Sequence, residues 1–303
     1  MSGGAVGVIL HPRVSPRAPQ LLAALARAEA HGWRTWWTQD RAAEVIEREG
    51  DGTRLLVTIG GDGTLLYGAR LVARRGIPLL GVNQGQLGFL TDVELSALPR
   101  AIDAFAGGET TLARPAVLEV RVVHDGEGER VGWSALAINE VAIKAASVNL
   151  IRLRVRAGPE LVGDFDADGV VVATSLGSTA YSLSAGGPPV DPRVPAIVLT
   201  ALNPHALMSR SIVLPDTQGL AITVARGPAF VSADSQAPHE LGDEDRVAIS
   251  RGPELLLVQL TGSPGFFGRL RSKMRFGLVL KGTPGLVGAA PHPLERPIDD
   301  PEV

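Results

Sequence analysis

The sequence of 303 residues contains no cysteine and few aromatic residues, which make up 4% of the chain. The absence of cysteine excludes disulfide bonds, thiolate metal sites and cysteine nucleophiles. No apolar run approaches the roughly 20 residues that a membrane-spanning helix needs. The N-terminal region has one short apolar run, residues 6–10, with no basic region before it. Such a run is too short for a signal peptide, so we expect a cytoplasmic protein with no membrane partner.

Strong net charge and several common catalytic signatures are also missing. The formal net charge is −3, which gives no reason to expect nucleic acid as a partner. The six histidines are scattered without the spacing of a metal site, and no Gly-x-Ser-x-Gly elbow is present. With 45% apolar and 20% charged residues, the composition is that of an ordinary globular protein with one large domain or two smaller ones.

The first hundred residues alternate between short apolar runs and segments with helical spacing. The predicted strands are residues 6–10, 33–37, 55–59 and 79–82, and the predicted helices are residues 18–31, 41–49, 64–75 and 95–105. Most of these helices stop at a glycine, which is the expected C-terminal signal. Strands that alternate with helices in this way predict a parallel sheet covered on both faces.

From about residue 112 the chain consists of short, often β-branched runs separated by turn residues. The predicted strands are residues 117–123, 131–138, 151–157, 169–174, 197–201, 220–225, 247–250 and 255–260. This pattern predicts an α/β domain over residues 1–111 and a β-rich domain over residues 112–262. Five prolines from Pro284 to Pro301 predict a mobile tail over residues 283–303.

The stretch VTIGGDGTLLYGAR, residues 57–70, joins a predicted strand to a predicted helix. Gly60, Gly61 and Gly63 permit positive φ and close backbone approach to a polyanion, and the helix N-terminus favours negative charge. Asp62 is poorly suited to direct contact with phosphate, but it suits contact with a hydroxyl group or a phosphate-bound metal ion. A tight strand-to-helix turn without a ligand is the alternative for this motif.

A second glycine-rich loop, GVNQGQLGFLTD, follows the next predicted strand at residues 81–92. It combines three glycines with the polar side chains of Asn83 and Gln84. Its spacing differs from the GxGxxG fingerprint of dinucleotide-binding folds. The alternatives are a ligand-binding loop and a structural loop with Phe89 and Leu90 packed inward.

Two adjacent polar residues, Asn139 and Glu140, interrupt an apolar segment. Within a strand they would project to opposite faces, unless a bulge or turn redirects one of them. An amide beside a carboxylate suits the vicinal hydroxyl groups of a ribose. A pair that faces solvent is the alternative.

Residues 168–192 read DGVVVATSLGSTAYSLSAGGPPVDP, which combines small residues and hydroxyl groups with a single aromatic ring at Tyr181. Such a stretch lets another surface approach closely, and the ring offers a flat face on which a base can stack. A tightly packed interior segment would show the same composition.

The order of these motifs resembles that of the NAD kinases. The matching motifs are GGDGT, GQLGFLT, NE, DG followed by GSTAYSLSAGGP, NPHAL and LRSKMRFG, from about Leu55 to Gly277. GGDGT alone is also similar to the loop of diacylglycerol kinases, sphingosine kinases and phosphofructokinases, whereas the NE pair and GSTAYSLSAGGP are more specific. The resemblance implies an active site between the two domains, a segment over residues 263–282 that returns to the first domain, and a homodimer or homotetramer in which a neighbouring subunit completes the NAD site.

The resemblance also implies the reaction, in which the terminal phosphoryl group of ATP or polyphosphate moves to the 2′-hydroxyl of NAD's adenosine ribose, with a divalent metal ion, Mg²⁺. Asp62 would orient that hydroxyl and accept its proton, with Gly63 beside the ribose. The other residues that it places around NAD are Phe89, Asn139, Glu140, Asp168, Thr179, Ala180, Tyr181, Ser184 and Gln236. The donor phosphates would meet the loop formed by Gly60, Gly61, Gly63 and Thr64.

Three motifs depart from the pattern that the family usually shows. Residues 173–179 read ATSLGST without the usual proline, residues 200–205 read TALNPH, and residues 234–236 read DSQ in place of DGQ. Polar contact residues are kept while prolines and glycines are lost, which predicts an adjusted backbone around an intact site. A lipid kinase that shares the GGDGT loop and a non-catalytic NAD-binding regulator are the alternatives to an NAD kinase.

Overall fold

The structure is a computed structural model that describes residues 3–85, 88–91, 93–124, 130–206 and 210–277. The predicted tail over residues 283–303 lies outside the described residues, as does part of the segment over residues 263–282. Among the residues described, none of the helices combines the length and the apolar character that crossing a bilayer requires.

The first part of the chain builds a parallel sheet with helices packed against it. Its strands are β1 (Ala5–Leu10), β2 (Arg34–Thr38), β3 (Thr53–Gly60), β4 (Leu79–Asn83) and β5 (Val93–Glu94), and its helices are α1 (Pro19–Ala30), α2 (Ala42–Glu49), α3 (Asp62–Val72) and α4 (Leu98–Ala106). The strands β2, β1, β3 and β4 lie side by side in that order, and all of them are parallel. The predicted α/β alternation is therefore confirmed.

The central strands of this sheet are apolar runs because both faces of the sheet are covered. Every residue of β1 and β4 is buried, and the helices contribute buried residues such as Leu21 of α1 and Leu65 of α3. Burial on both faces explains why these strands show no alternation of polar and apolar residues. The helix α1 is followed by Gly32, whose φ of 77° is the left-handed conformation that a glycine after a helix provides.

The second part of the chain is rich in antiparallel strands. These are β6 (Thr110–Ala113), β7 (Ala116–His124), β8 (Arg130–Ala137), β9 (Glu140–Ala145), β10 (Ile151–Ala157), β11 (Glu160–Ala167), β12 (Gly169–Thr174), β13 (Ala196–Leu202), β14 (Ile212–Pro215), β15 (Leu220–Arg226), β16 (Ala229–Ala233), β17 (His239–Leu241), β18 (Arg246–Glu254) and β19 (Leu257–Leu260), with the helices α5 (Tyr181–Ser184) and α6 (Phe266–Met274). Two six-stranded sheets have the orders β11-β10-β15-β18-β7-β8 and β14-β13-β12-β9-β16-β17. One apolar cluster with residues from both sheets, among them Val155 and Val172, forms the core between them.

The chain returns to the first sheet through β19. Leu257 pairs with Leu79 of β4 in parallel and with Ala113 of β6 in the antiparallel sense, so β19 lies between those two strands. This return begins a few residues before residues 263–282. After it, α6 buries Leu270 and exposes Arg271 and Lys273 to solvent.

Candidate active site

The GGDGT motif occupies the edge of the first sheet where β3 ends and α3 begins. Asp62 is the first residue of α3, and Gly61 precedes it with an extended backbone, φ −97° and ψ −171°. None of Gly60, Gly61 and Gly63 uses the positive φ that glycine permits. Gly60 is needed for space instead, since a Cβ there would lie 2.2 Å from Thr64 Oγ1. A Cβ on Gly61 or Gly63 would meet open space, which leaves this side of the loop accessible to a ligand.

The carboxylate of Asp62 connects the GGDGT turn to the second glycine-rich loop. Its Oδ2 accepts the backbone N–H of Phe89 at 2.8 Å, and its Oδ1 accepts the N–H of Leu90 at 3.2 Å and the hydroxyl of Thr91 at 3.3 Å. A Cβ on Gly88 would lie 1.9 Å from Asp62 Oδ1, so only glycine allows this approach. The predicted second loop is therefore built around Asp62.

Polar side chains hold the second loop from within. Asn83 Oδ1 accepts the N–H of Gly85 at 2.8 Å, and Thr91 Oγ1 accepts the N–H of Gly88 at 3.1 Å. Thr91 is buried, at 1% exposure, whereas Gln84 is exposed. Thr91 lay inside the quoted motif but was not predicted as a site residue, because its role depends on a contact with Asp62.

Asn139 and Glu140 lie at a bend between two strands, because β8 ends at Ala137 and β9 begins at Glu140. Because a bend separates the two strands, the side chains of Asn139 and Glu140 need not project to opposite faces of a single strand. Glu140 is buried, at 5% exposure, so a solvent-facing pair is wrong for this residue. Asn139 Oδ1 and Glu140 Oε2 are buried, and neither has a hydrogen-bond partner within the described part of the chain. Two buried oxygens without partners are costly unless a ligand satisfies them.

The environment of Glu140 raises its pKa to about 7 from an ordinary value of 4.5. The main cause is burial, which disfavours the charged carboxylate, and the negative charge of Asp234 adds to it. A hydrogen bond from the backbone N–H of Tyr181 acts in the opposite direction. Glu140 therefore sits near the midpoint of its titration at neutral pH.

The segment ATSLGST, residues 173–179, is hydrogen-bonded to the bend that carries Asn139 and Glu140. Thr174 donates its backbone N–H to Asn139 O and its hydroxyl to Ile138 O, both at 2.8 Å. The same hydroxyl accepts the N–H of Gly177 at 2.8 Å. A Cβ on Gly177 would lie 2.1 Å from Asn139 O, so the two segments touch through their backbones. The hydroxyl of Thr174 thus joins the bend at Ile138 to the turn at Gly177.

The residues predicted around the adenine lie in the short helix α5 and in the turn just before it. They are Thr179, Ala180 and Tyr181, which are half-buried, and Ser184, which is exposed. Lys144 Nζ lies 5.7 Å from the centroid of the Tyr181 ring and 5.9 Å from that of Phe230. A cation at this distance is attracted to the electron-rich faces of both rings. Sequence reasoning missed Lys144 and Phe230, since only the register of β9 and β16 places them opposite each other.

Asp168 lies away from the bend at Asn139. It precedes β12, whereas Thr174 ends that strand, and six residues of extended chain span roughly 20 Å. The carboxylate of Asp168 accepts a hydrogen bond from Asn203 Nδ2 at 2.8 Å. The structure therefore does not group Asp168 with Asn139 and Glu140 within one chain.

Gln236 follows a backbone with unusual geometry. Asp234 and Ser235 both have left-handed conformations, with φ of 46° and 57°. The N–H of Gln236 closes this turn on Ala233 O at 3.0 Å, and its side chain is half-buried. Ser235 stands where the family pattern usually has glycine, so here a residue with a Cβ adopts the left-handed conformation.

Two cavities flank the glycine-rich loops. One of about 370 Å³ is lined by Gly61, Gly63, Thr64, His11 and Tyr67, among others. The other, of about 870 Å³, extends from Phe89 and Leu90 towards Ser175, Leu176 and the start of α6. Within the described ranges, no group of three or more His, Asp or Glu side chains is arranged to hold a metal ion.

Comparison with known proteins agrees with this arrangement. The protein-family model of the ATP-NAD kinase N-terminal domain matches residues 17–110. The family model of the ATP-NAD kinase C-terminal domain matches residues 138–259. NAD kinase 2 of Trichormus variabilis is 40% identical over 227 residues, which are 74% of this chain and 73% of that protein. The NAD kinase of Heliobacterium modesticaldum is 40% identical over 226 residues, which are 74% and 79% of the two chains. The chain belongs to the NAD kinase family.

Solved structures of NAD kinases and NADH kinases share the fold. Yeast NADH kinase in complex with NADH superposes with a TM-score of 0.80 at 23% identity, covering 93% of this chain and 91% of that one. An NAD kinase from Archaeoglobus fulgidus in complex with ATP superposes with a TM-score of 0.70 at 23% identity, covering 88% and 99% of the two chains. The predicted combination of an α/β part and a β-rich part is therefore the fold of NAD kinases.

Proposed function

We propose that this protein transfers the terminal phosphoryl group of ATP to the 2′-hydroxyl of the adenosine ribose of NAD and so makes NADP. Membership of the NAD kinase family supports the reaction. The structural observation that carries the proposal is the pair of buried oxygens without partners, Asn139 Oδ1 and Glu140 Oε2. Ribose hydroxyl groups can donate hydrogen bonds to such oxygens. A lipid kinase and a non-catalytic regulator find no support among the relatives.

Asp62 is the catalytic residue in this proposal. Its carboxylate orients the 2′-hydroxyl for in-line attack, the oxygen of that hydroxyl forms the new bond to phosphorus, and the bond from phosphorus to the leaving ADP breaks. Because phosphoryl transfer has a loose transition state, positioning and charge neutralisation supply most of the catalysis. Aspartate is a weak base towards an alcohol, so the proton passes to Asp62 late and then to solvent.

The acceptor is held by residues on the second part of the chain. Asn139 and Glu140 accept hydrogen bonds from the ribose, and Tyr181 stacks on the adenine beside Thr179, Ala180 and Ser184. Phe89 closes the adenine pocket next to Asp62, and Gly63 lies beside the ribose. Gln236 approaches NAD from the turn after Asp234. The distance of Asp168 from this group agrees with a contact to the nicotinamide half of NAD, or to NAD bound by a neighbouring copy in a homodimer or homotetramer.

The donor lies on the other side of the GGDGT turn. The cavity of about 370 Å³ opens onto Gly61, Gly63 and Thr64, where Gly61 and Gly63 leave space for phosphate oxygens. The N-terminus of α3 favours negative charge at this point. Mg²⁺ would reach the site bound to the phosphates of ATP, where it would neutralise their charge. We also propose that the protein is located in the cytoplasm.

The experiment that tests the function is incubation of the protein with NAD, ATP and Mg²⁺, with NADP detected by an NADP-specific dehydrogenase. We expect NADP to form in proportion to the enzyme. Polyphosphate as donor and NADH as acceptor, tested in parallel, define the specificity. Absence of NADP with every donor and metal ion would overturn the proposal. In that case, phosphorylation of diacylglycerol would identify a lipid kinase, and binding of NAD without turnover would identify a regulator.

A further inference from the structure

We propose that Arg70 and Asp234 are positioning residues for this reaction: their ion pair holds the helix that begins at Asp62 against the bend that carries Asn139 and Glu140. The inference rests on the proposed function, because it concerns the relative placement of the catalytic carboxylate and the ribose-binding pair. Neither residue is placed in contact with substrate.

Asp234 anchors the bend directly. Its side chain is fully buried, and its Oδ1 accepts the backbone N–H groups of Asn139 at 2.7 Å and Glu140 at 3.2 Å. Its Oδ2 accepts the N–H of Ile138 at 2.9 Å, and its own N–H donates to Glu140 O at 3.0 Å. Three successive N–H groups around one carboxylate form a concave anion site that fixes the backbone conformation. The directions of the Asn139 and Glu140 side chains therefore depend on Asp234.

Arg70 connects this anchor to the first part of the chain. Its Nη1 donates to Asp234 Oδ2 at 3.0 Å, and its side chain is 18% exposed. Arg70 belongs to α3, eight residues after Asp62, which is about 12 Å along a helix. A rigid helix thus carries the catalytic carboxylate at its first turn and the partner of Asp234 near its last turn.

The position of this pair indicates more than a contribution to stability. A buried ion pair adds little net stability, because both charges must be desolvated. The Asp234 carboxylate has three N–H donors besides the guanidinium group, so the bend is anchored by its own backbone as well. What the guanidinium group adds is a fixed distance between α3 and the bend. In phosphoryl transfer, an error of about 1 Å in such a distance can lower turnover by about a hundredfold.

The test compares two arginines that form ion pairs between the same two parts of the chain. Arg74 pairs with Glu119 of β7 at 2.8 Å, four residues after Arg70, and the Glu119 carboxylate accepts its hydrogen bonds from Arg74 and Arg121, whereas that of Asp234 accepts from the bend. We expect Arg70→Met to lower kcat between about tenfold and a hundredfold. The Kd for NAD, measured by calorimetry, should change far less than kcat, because the acceptor residues remain on their own anchor. Arg74→Met should leave kcat close to that of the wild type.

Further variants separate positioning from folding. Arg70→Lys keeps the charge and one donor and should recover part of the lost turnover, whereas Asp234→Asn should lower both kcat and NAD affinity, because an amide nitrogen cannot accept an N–H. Turnover is compared only at temperatures below the melting transition of each variant. If Arg70→Met does not fold, Arg70→Lys is compared with Arg74→Lys instead. A lower kcat for Arg70→Lys alone then supports the positioning role.

Two results would overturn the positioning role. One is wild-type kcat in folded Arg70→Met, or in Arg70→Lys if Arg70→Met does not fold. The other is an equal loss of kcat in the Arg74 control, which would indicate a general effect of ion pairs between the two parts. A wild-type protein that makes no NADP would instead overturn the proposed function, so the two failures are distinguishable.

Discussion

The carboxylate of Asp62 accepts the backbone N–H of Phe89 at 2.8 Å, although 27 residues separate them in the chain. The residue proposed to act on the acceptor hydroxyl therefore also anchors the loop proposed to close the adenine pocket. The Asp62 side chain would thus take part in the reaction and also hold the shape of the pocket. Substitutions around it are expected to affect turnover through geometry as well as through loss of a functional group.

Replacement of Asp62 by asparagine should abolish most of the turnover. The amide cannot accept the proton of the hydroxyl, and loss of a positioned base lowers rates by about 10²–10⁴-fold. NAD should still bind, because Asn139, Glu140 and Tyr181 are unchanged. Steady-state NADP formation and NAD calorimetry check both statements. Asp51→Asn, at a fully exposed side chain, is the control. Near-normal turnover of Asp62→Asn would remove Asp62 from the mechanism.

Replacement of Gly88 by alanine should lower turnover without any change in polar groups. The new Cβ would lie 1.9 Å from Asp62 Oδ1 and 2.5 Å from Thr91 Oγ1, so the loop must move away from Asp62. We expect kcat to fall by about tenfold or more. Gly85→Ala is the matched control, because a Cβ at Gly85 meets no atom within 4 Å. Equal kcat values for the two variants would contradict the close approach of Gly88 to Asp62.

The raised pKa of Glu140 predicts a pH dependence of stability. The folded carboxyl group, with a pKa of about 7, holds its proton at pH values where the unfolded one, near 4.5, has lost it. The folded state binds more protons in this range, so the free energy of unfolding falls as the pH rises from about 4.5 to 7. The contribution that is lost is on the order of 3 kcal/mol.

Urea unfolding at several pH values measures this effect. Glu140→Gln should unfold with a smaller loss of stability between pH 4.5 and 7, since the amide does not titrate. Glu160→Gln, at an exposed position on β11, should keep the wild-type slope. A Glu140→Gln protein with the full wild-type slope would show that another group is responsible.

Replacement of Ser235 by glycine should stabilise the protein. Ser235 has a φ of 57°, a left-handed conformation that costs a residue with a Cβ about 1–2 kcal/mol. Glycine removes this strain but loses about 0.5–1 kcal/mol to its greater freedom in the unfolded chain. We expect a net gain of roughly 0.5–1 kcal/mol in the free energy of unfolding.

The control for this prediction is Ser134→Gly. Ser134 is exposed on β8 and is not among the residues with positive φ, so glycine there brings only the entropic cost. The two substitutions should therefore shift the urea midpoint in opposite directions. A decrease for both would indicate that the backbone at Ser235 is relaxed rather than strained.

The parts of the site that could be predicted from the sequence follow local patterns. The strand before Gly60 and the helix after it fix where Asp62 lies, because hydrophobic periodicity and helix-end signals act over a few residues. The glycines permit positive φ, but the turn passes from an extended Gly61 straight into α3 without using it. Composition alone cannot distinguish a glycine needed for φ from one needed for space, and Gly60 is of the second kind.

The contacts that organise the site join residues distant in sequence, and no local pattern reports them. Asp234 meets Asn139 across 95 residues and Arg70 across 164 residues. The sequence left open whether Asn139 and Glu140 face solvent, because the burial of Glu140 depends on the bend that Asp234 holds. Lys144 could be placed beside Tyr181 only once the register of β9 and the position of α5 were known.

The return of β19 to the first sheet has a consequence for the order in which the protein assembles during synthesis. Leu257 lies between Leu79 and Ala113, so β6 has its ladder partner only after residue 260 has left the ribosome. Until then, β4 is paired on that side only at Val82 and Asn83, through β5, and its first residues present an open edge of the kind that pairs with other chains. The nascent first part of the chain must therefore wait for the whole β-rich part before its sheet is complete.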